Sequence, residues 1–297
     1  MFFTKKLFAQ IPEKQLGILM IVTSAFCFAL MNVCIRLAGE IPTVQKVLFR
    51  NLIAMFVAAG VLLRSKGSFL PTHRRNVVPL FCRAGFGLLG MVCNFYAVDH
   101  LMMSDASMLM KMAPFFAVLF STVLLKEKLK PIQLVILALA FGGAMCIVKP
   151  TLGNMAMGPA VVGFCGGMMA GLAYTLVRFL TQRGEKGSYI VFFFSAFSCV
   201  VLLPAALANW QPLAPYQLLA LLGTGLCAAG GQFSVTAAYR FAPAREISVY
   251  DYSQVVFSAV FGFALFGDLP DGLSVVGYVL IIGMAVLNFC YNNRKAA

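Results

Sequence analysis

Three charged residues stand where charge is costly. Arg50, Lys111 and Asp251 each interrupt a long apolar run. A cation at the centre of a membrane helix costs at least ~2.5 kcal/mol on insertion scales, so it faces protein or a water-filled cavity. Arg50 falls six residues into the run 44–63, and Lys111 eight into 103–125. At about 1.5 Å per residue, both lie roughly 9–12 Å below the same surface. Similar depth on two helices is expected to form one electropositive pocket for a carboxylate, phosphate or other anionic group. The plainer alternative is a charge held by helix carbonyls or by an ionic partner elsewhere in the chain.

Asp251 is the acidic residue placed well inside a span. Intramembrane carboxylates serve proton relays or pair with cations. Asp251 is therefore a candidate for proton coupling or for a substrate ammonium. It is equally a candidate for pairing with Arg240, Arg245 or Arg178. Asn32, Asn94 and Gln232 are further candidates for a midplane site, or for helix–helix hydrogen bonds. Tyr174, Tyr239, Tyr250 and Tyr252 are candidates for an aromatic wall. Asp105 and Glu246 open spans, where capping and the helix dipole account for them. Arg36, Lys46, Arg83 and Arg178 lie near span ends and are expected to reach the headgroups.

The elements that carry these residues follow from composition. Of 297 residues, 61% are hydrophobic and 11% charged, against about 25% charged in soluble domains. That excludes a soluble globular or disordered chain and leaves a polytopic membrane protein. A helix needs about 20 apolar residues to cross the hydrocarbon core. On that rule there are ten spans: 16–38, 44–63, 77–98, 103–125, 132–149, 159–182, 187–208, 216–240, 246–267 and 272–291. The runs are too long and lack the alternation of barrel strands. The basic start (Lys5, Lys6, Lys14) leads into a run too long for a signal peptide, so the first span is expected uncleaved.

Charge orients the spans. With the N-terminus inside, the inner connections hold sixteen Lys and Arg, and the outer ones hold only Lys149. That asymmetry puts both termini in the cytoplasm, and it explains the net +13 without a nucleic-acid partner. Trp210 falls in an outer connection, suited to an interfacial anchor.

The halves are related. An offset of 141 residues matches Gly17 with Gly158, Gly90 with Gly231, Ser107 with Ser248, Phe116 with Phe257 and Gly142 with Gly283. Asp105 meets Glu246, Glu127 meets Asp268, and Lys111 meets Tyr252. Five spans per half forces opposite orientation. Inverted repeats place a substrate site near the midplane, between halves that rock. Because the repeat inverts, Lys111 is expected in the outer half and Asp251 and Tyr252 in the inner half.

The stretch Tyr96–Lys130 opens on a short turn and a helix with Ser104, Asp105 and Ala106, then carries Pro114 and ends near Glu127. Tyr239–Asp271 looks like its second copy, with Val255 where the first has Pro114, so a proline kink is not expected to be shared. These segments resemble the drug/metabolite transporter superfamily, EamA type. The resemblance implies an all-α membrane protein of ten helices in two inverted five-helix repeats, 16–149 and 159–291. It implies an inner-membrane secondary carrier for amino acids or related zwitterionic or anionic metabolites, commonly an exporter, acting as a monomer or homodimer. The substrate-binding residues expected from the chain itself are Arg50, Lys111, Tyr252, Asn32, Asn94, Gln232 and Tyr174, with Asp251 for coupling.

Other functions find less in the residues. Uptake of a larger anionic or heteroaromatic metabolite, such as a vitamin or nucleoside derivative, is the nearer alternative. Export of organic cations would call for central carboxylates rather than two central cations. Two histidines, His73 and His100, lie in connections with no second acid beside either, and no HExxH or GxxxxGK[ST] motif occurs, so neither an enzyme nor an ATP-driven pump is expected. The nine cysteines form no CxxC, so no disulfide framework, metal site or other cofactor is expected. The pairs Gly142–Gly143, Gly166–Gly167 and Gly230–Gly231 suit close helix contact.

Overall fold

In lipid every backbone polar group must be paired internally, so apolar runs of this length fold as helices. The computed structural model describes residues 12–64, 69–124, 131–148, 157–241 and 248–294, and no strand occurs among them. The helices are α1 (Glu13–Leu37), α2 (Thr43–Arg64), α3 (Val77–His100), α4 (Met103–Met110), α5 (Ala113–Leu124), α6 (Pro131–Val148), α7 (Met157–Gln182), α8 (Gly187–Ala208), α9 (Pro215–Phe241), α10 (Ser253–Phe266) and α11 (Gly272–Arg294). Short 3-10 turns, Arg74–Asn76 and Ser248–Tyr252, precede α3 and α10. Among the described residues, seven helices are long and apolar enough to cross a membrane, and Ala138–Ile147 and Gly272–Leu287 are shorter apolar stretches. Glu127, Lys149, Arg245, Glu246, Lys5 and Lys6 lie outside the described residues, as do the side chains of Lys14, Arg178, Tyr239 and Arg240.

The packing has the pattern of a pseudo-twofold between residues 12–148 and 157–294. The extensive α1–α9 contact has its counterpart in α3–α7. Contact of α5 with α7 is matched by contact of α10 with α1, and α2–α9 by α3–α8. The α2–α8 and α6–α11 contacts are their own counterparts. Glycines make the crossings close: a Cβ on Gly90 would stand 3.0 Å from the Gly166 carbonyl oxygen, and one on Gly277 2.6 Å from that of Gly143.

The fourth and ninth helical positions are discontinuous at equivalent places. α4 stops at Met110, Lys111 takes φ −71° and ψ 0°, and α5 starts at Ala113. Pro114 has no amide hydrogen to donate back to the preceding turn. In the second half, the 3-10 turn ends at Tyr252 and α10 starts at Ser253. With the 141-residue offset, Tyr252 is the counterpart of Lys111. The break is thus shared although the proline is not.

The two ends of the bundle are tied differently. At the end with the Ala38–Pro42 turn, Lys46 bonds Asp99 (2.6 Å), Arg36 pairs with Asp268, and Asp268 also accepts the Met103 amide (3.1 Å). Gln45 and the Gln211 backbone exchange two hydrogen bonds, 3.1 and 3.2 Å. At the other end, buried Glu185 accepts from the Thr72 amide (2.8 Å), the Thr72 hydroxyl (3.1 Å) and Asn76 Nδ2 (2.9 Å). This carboxylate joins the approach to α3 with the α7–α8 turn. Glu185→Ala strips all three bonds and is expected to cost about 2–3 kcal/mol, since hydrogen bonds to charged groups contribute about 1.5–3 kcal/mol each and water replaces part of them. Thermal unfolding of the purified variant checks this, and an unchanged midpoint would show the clasp to be dispensable.

Candidate functional site

Lys111 sits at the break between α4 and α5: its amide still bonds the Ser107 carbonyl (3.1 Å), and that of Met112 shifts to the Leu109 carbonyl (3.1 Å). Its ammonium pairs with the Asp251 carboxylate, and the Tyr252 hydroxyl donates to the Lys111 carbonyl (3.2 Å). Both breaks therefore meet, one from each half. Asp251 has Lys111 as its cation, while Arg245 and the side chains of Arg240 and Arg178, the other partners expected for it, lie outside the described residues. Lys111 and Asp251, expected in opposite halves of the membrane, meet through their side chains.

A polar chain continues from this junction. Asn32 Nδ2 on α1 donates to Ser107 Oγ (3.1 Å), which donates to Ser258 Oγ on α10 (2.8 Å). Ser107 lies one turn before Lys111. Asn32 Oδ1 is buried without a hydrogen bond among the described residues. Nearby, Tyr278 donates to Asp105 (2.5 Å). Asp105 is thus a cross-helix acceptor rather than the expected cap; α4 has Met102 at its N-cap position and no side-chain cap bond.

Tyr174 is a large aromatic side chain left exposed on α7. It follows Ala170 and Gly171 by one turn on the face of α7 that packs against α3 and α5, yet it exposes 54% of its surface. Asp251, Arg83 and Arg50 all act on it electrostatically. Of the tyrosines expected to wall a pocket, Tyr174 and Tyr250 are exposed and Tyr252 is buried, and the Tyr239 side chain lies outside the described residues.

Arg50 is 6% exposed and bonds its neighbour Asn51 at Oδ1 (3.0 Å), while its Nε is buried without a hydrogen bond among the described residues. Asn51 is itself held by the Val47 carbonyl (2.9 Å). Arg83 departs from expectation. Its guanidinium lies over the Phe194 ring at 4.0 Å and reaches Gly87, one turn further along α3 toward the bundle centre. It does not run back to the surface. The missing Gly87 side chain leaves the space, and the Phe194 face attracts the cation. The spacing Arg-Ala-Gly-Phe-Gly at 83–87 is the sequence signal that depth counting overlooked.

Two more basic residues expected to snorkel do not. Lys46 is 1% exposed against Asp99, and Arg36 is held by Asp268 and stacked over Phe266 at 4.5 Å. Asn94 and Gln232 stand at helix crossings. Asn94 lies where Gly166 of α7 meets α3, and Gln232 follows Gly231, whose bare backbone admits Phe28 of α1. Trp210 is exposed and lies 6.1 Å from the Phe49 ring. No group of three or more His, Cys, Asp or Glu suited to a metal occurs among the described residues.

The description "EamA-like transporter family" fits this chain twice, over residues 15–149 and 158–290. The chain belongs to the EamA-like transporter family. Among similar proteins, the pseudopaline exporter CntI of Pseudomonas aeruginosa is 32% identical over 268 residues, 90% of this chain and 93% of that one. The riboflavin transporter of Brucella anthropi is 26% identical, covering 89% of this chain and 95% of its own. Solute carrier family 35 member G1 of Mus musculus is 25% identical, covering 91% and 77%. A solved crystal structure shares the fold at TM-score 0.67 and 15% identity, over 95% of this chain and 99% of that one. This EamA protein is a multi-pass protein of the inner membrane and a transporter of a small metabolite.

Proposed function

We propose that this EamA protein is a secondary active exporter of a zwitterionic or anionic metabolite, an amino acid or related compound. Its ten spans, in inverted repeats 16–149 and 159–291 with both termini cytoplasmic, alternate access to one central site. The observation that carries this reading is the Lys111–Asp251 pair at the junction of two equivalent helix breaks. Broken helices at a repeat interface are where transporters bind substrate and coupling ions. An ion pair between repeats also has two states, closed on itself or opened by a ligand or proton. Arg50, Tyr174, Tyr252 and Asn32 surround the substrate in this reading, Asn94 and Gln232 support it from the crossings, and Asp251 couples to protons. The 32% identity to an exporter favours export. The likeness to a riboflavin transporter, with Tyr174 an exposed aromatic side chain, favours uptake of a heteroaromatic anion as the second reading.

The test is flux into inside-out vesicles of radiolabelled amino acids, with riboflavin as the alternative. Accumulation driven by an acid interior is expected for an amino acid. Asp251→Asn is expected to remove the dependence on the pH gradient while substrate exchange persists. If both rate and gradient dependence survive in that variant, Asp251 does not couple.

A further inference from the structure

Arg50 and Arg83 form an arrangement that the ion pair does not use. They come from adjacent helices, α2 and α3, and are close enough to repel each other. Neither makes an ion pair among the described residues. Arg50 Nε and both Nε and Nη1 of Arg83 are buried without hydrogen bonds there. Arg50 is more than nine-tenths buried, and the Arg83 guanidinium is turned inward over Phe194 and beside Gly87. Guanidinium is a planar fork whose Nε–Nη edge matches a carboxylate or phosphate with two parallel bonds. Leaving such donors unpaired in a low-dielectric interior is strongly unfavourable, and two like charges side by side compound the cost.

Charge balance sets the ligand class. Lys111 and Asp251 neutralise each other, whereas Arg50 and Arg83 carry two positive charges that no carboxylate pairs among the described residues. A ligand with two negative charges on oxygen neutralises them. A monoanion leaves one guanidinium unpaired.

We propose that Arg50 and Arg83 are a dianion clamp, and that the transported metabolite presents two anionic oxygen groups, as a dicarboxylate does. This rests on the transport reading above and names its substrate class. Arg83 was expected at the headgroups; its inward course over Phe194 and beside Gly87 is what makes the clamp. The Lys111–Asp251 pair remains beside it to receive an ammonium on the same molecule.

The test is ligand-induced thermal stabilisation of the purified full chain in detergent. The probes are succinate, glutamate, propionate and glycerol phosphate, with sodium chloride matching ionic strength. Succinate or glutamate is expected to stabilise saturably and propionate to require at least about tenfold more, the equivalent of about 1.4 kcal/mol. Arg50→Gln and Arg83→Gln are each expected to weaken the dicarboxylate about tenfold or more on the same scale. Arg50→Lys and Arg83→Lys keep the charge but lose the fork, and should fall between. Size-exclusion profiles identify any Gln variant that fails to fold, and the Lys variants then decide. Gly87→Ala is an independent probe: its Cβ would stand 3.0 Å from Arg83 Nη1, so it should weaken binding without changing charge.

Stabilisation by glycerol phosphate in place of the dicarboxylates would keep the clamp and assign its dianion to phosphate. Equal stabilisation by propionate and succinate, or unaltered affinity in the folded Arg variants, would overturn it. The two readings fail separately. Binding of a dianion without flux in vesicles removes the transport reading and leaves the clamp. Amino-acid flux with unchanged KM in Arg50→Gln removes the clamp and leaves the transport reading.

Discussion

Lys111→Met is expected to reduce transport to background, a loss of about a hundredfold or more, while the protein still inserts and purifies. Methionine keeps the unbranched stem and removes the charge. The Tyr252 hydroxyl bonds the Lys111 backbone carbonyl, not its side chain, so the junction of the two breaks keeps that tie. What changes is Asp251, which loses its ammonium partner. A hydrogen bond between charged groups contributes about 1.5–3 kcal/mol, so the lost stability is smaller than the lost function. That separation is the informative part. The reversed pair, Lys111→Asp with Asp251→Lys, restores opposite charges across the same junction and is expected to recover thermal stability. It is not expected to recover flux, because the cation then projects from the second repeat and the anion from the first. Flux assays in vesicles, set beside melting midpoints of the same preparations, read both quantities. Unchanged kinetics in Lys111→Met would remove Lys111 from the site. Full recovery of flux in the reversed pair would reduce Lys111 and Asp251 to a structural bridge.

The difference between Lys111 and Arg83 shows what a linear sequence discloses here. Hydrophobic runs map onto helices directly, since each must pair its backbone within itself, although among the described residues seven helices are long and apolar enough to span. Lys111 was legible for the same reason: it is deep in its run, with no surface within reach. Its partner was not. The Lys111–Asp251 contact joins the two halves, and the offset relating them aligns Lys111 with Tyr252 rather than with Asp251. Asp251 therefore had three nearer arginines as plausible partners. Arg83 failed differently. Six residues into its helix, a long side chain can turn outward to headgroups or inward to the bundle. Depth alone cannot choose between these. The choice is made by Gly87, which leaves room, and by Phe194 on α8, which no local pattern connects to Arg83. Lys46 and Arg36 were misread for a related reason, because their carboxylates come from the far ends of other spans.

Gly167→Ala is expected to be the most damaging single-methyl change in the bundle. A Cβ there would lie 2.5 Å from the Leu109 carbonyl oxygen. That atom is backbone, so no rotamer change relieves the contact; α4 and α7 must separate by about an ångström to reach ordinary packing distance. Overpacking of this kind costs about 1–3 kcal/mol. At roughly 2–4 °C per kcal/mol for chains of comparable size, the melting midpoint should fall by about 2–12 °C. Gly60→Ala is the control: nothing lies within 4 Å of its Cβ position, and alanine favours helix over glycine by about 1 kcal/mol. Its midpoint should hold or rise. The functional loss should exceed the thermal one, because Leu109 is two residues from Lys111 and any shift of α4 carries the ammonium away from Asp251. Gly171→Ala should behave alike, with Phe116 Cβ at 2.6 Å and the Ala113 carbonyl oxygen at 2.7 Å, on the other side of the same break. If Gly167→Ala melts and transports like Gly60→Ala, the α4–α7 contact is slack, and the position of Lys111 is set by the Tyr252 hydrogen bond and the ion pair alone.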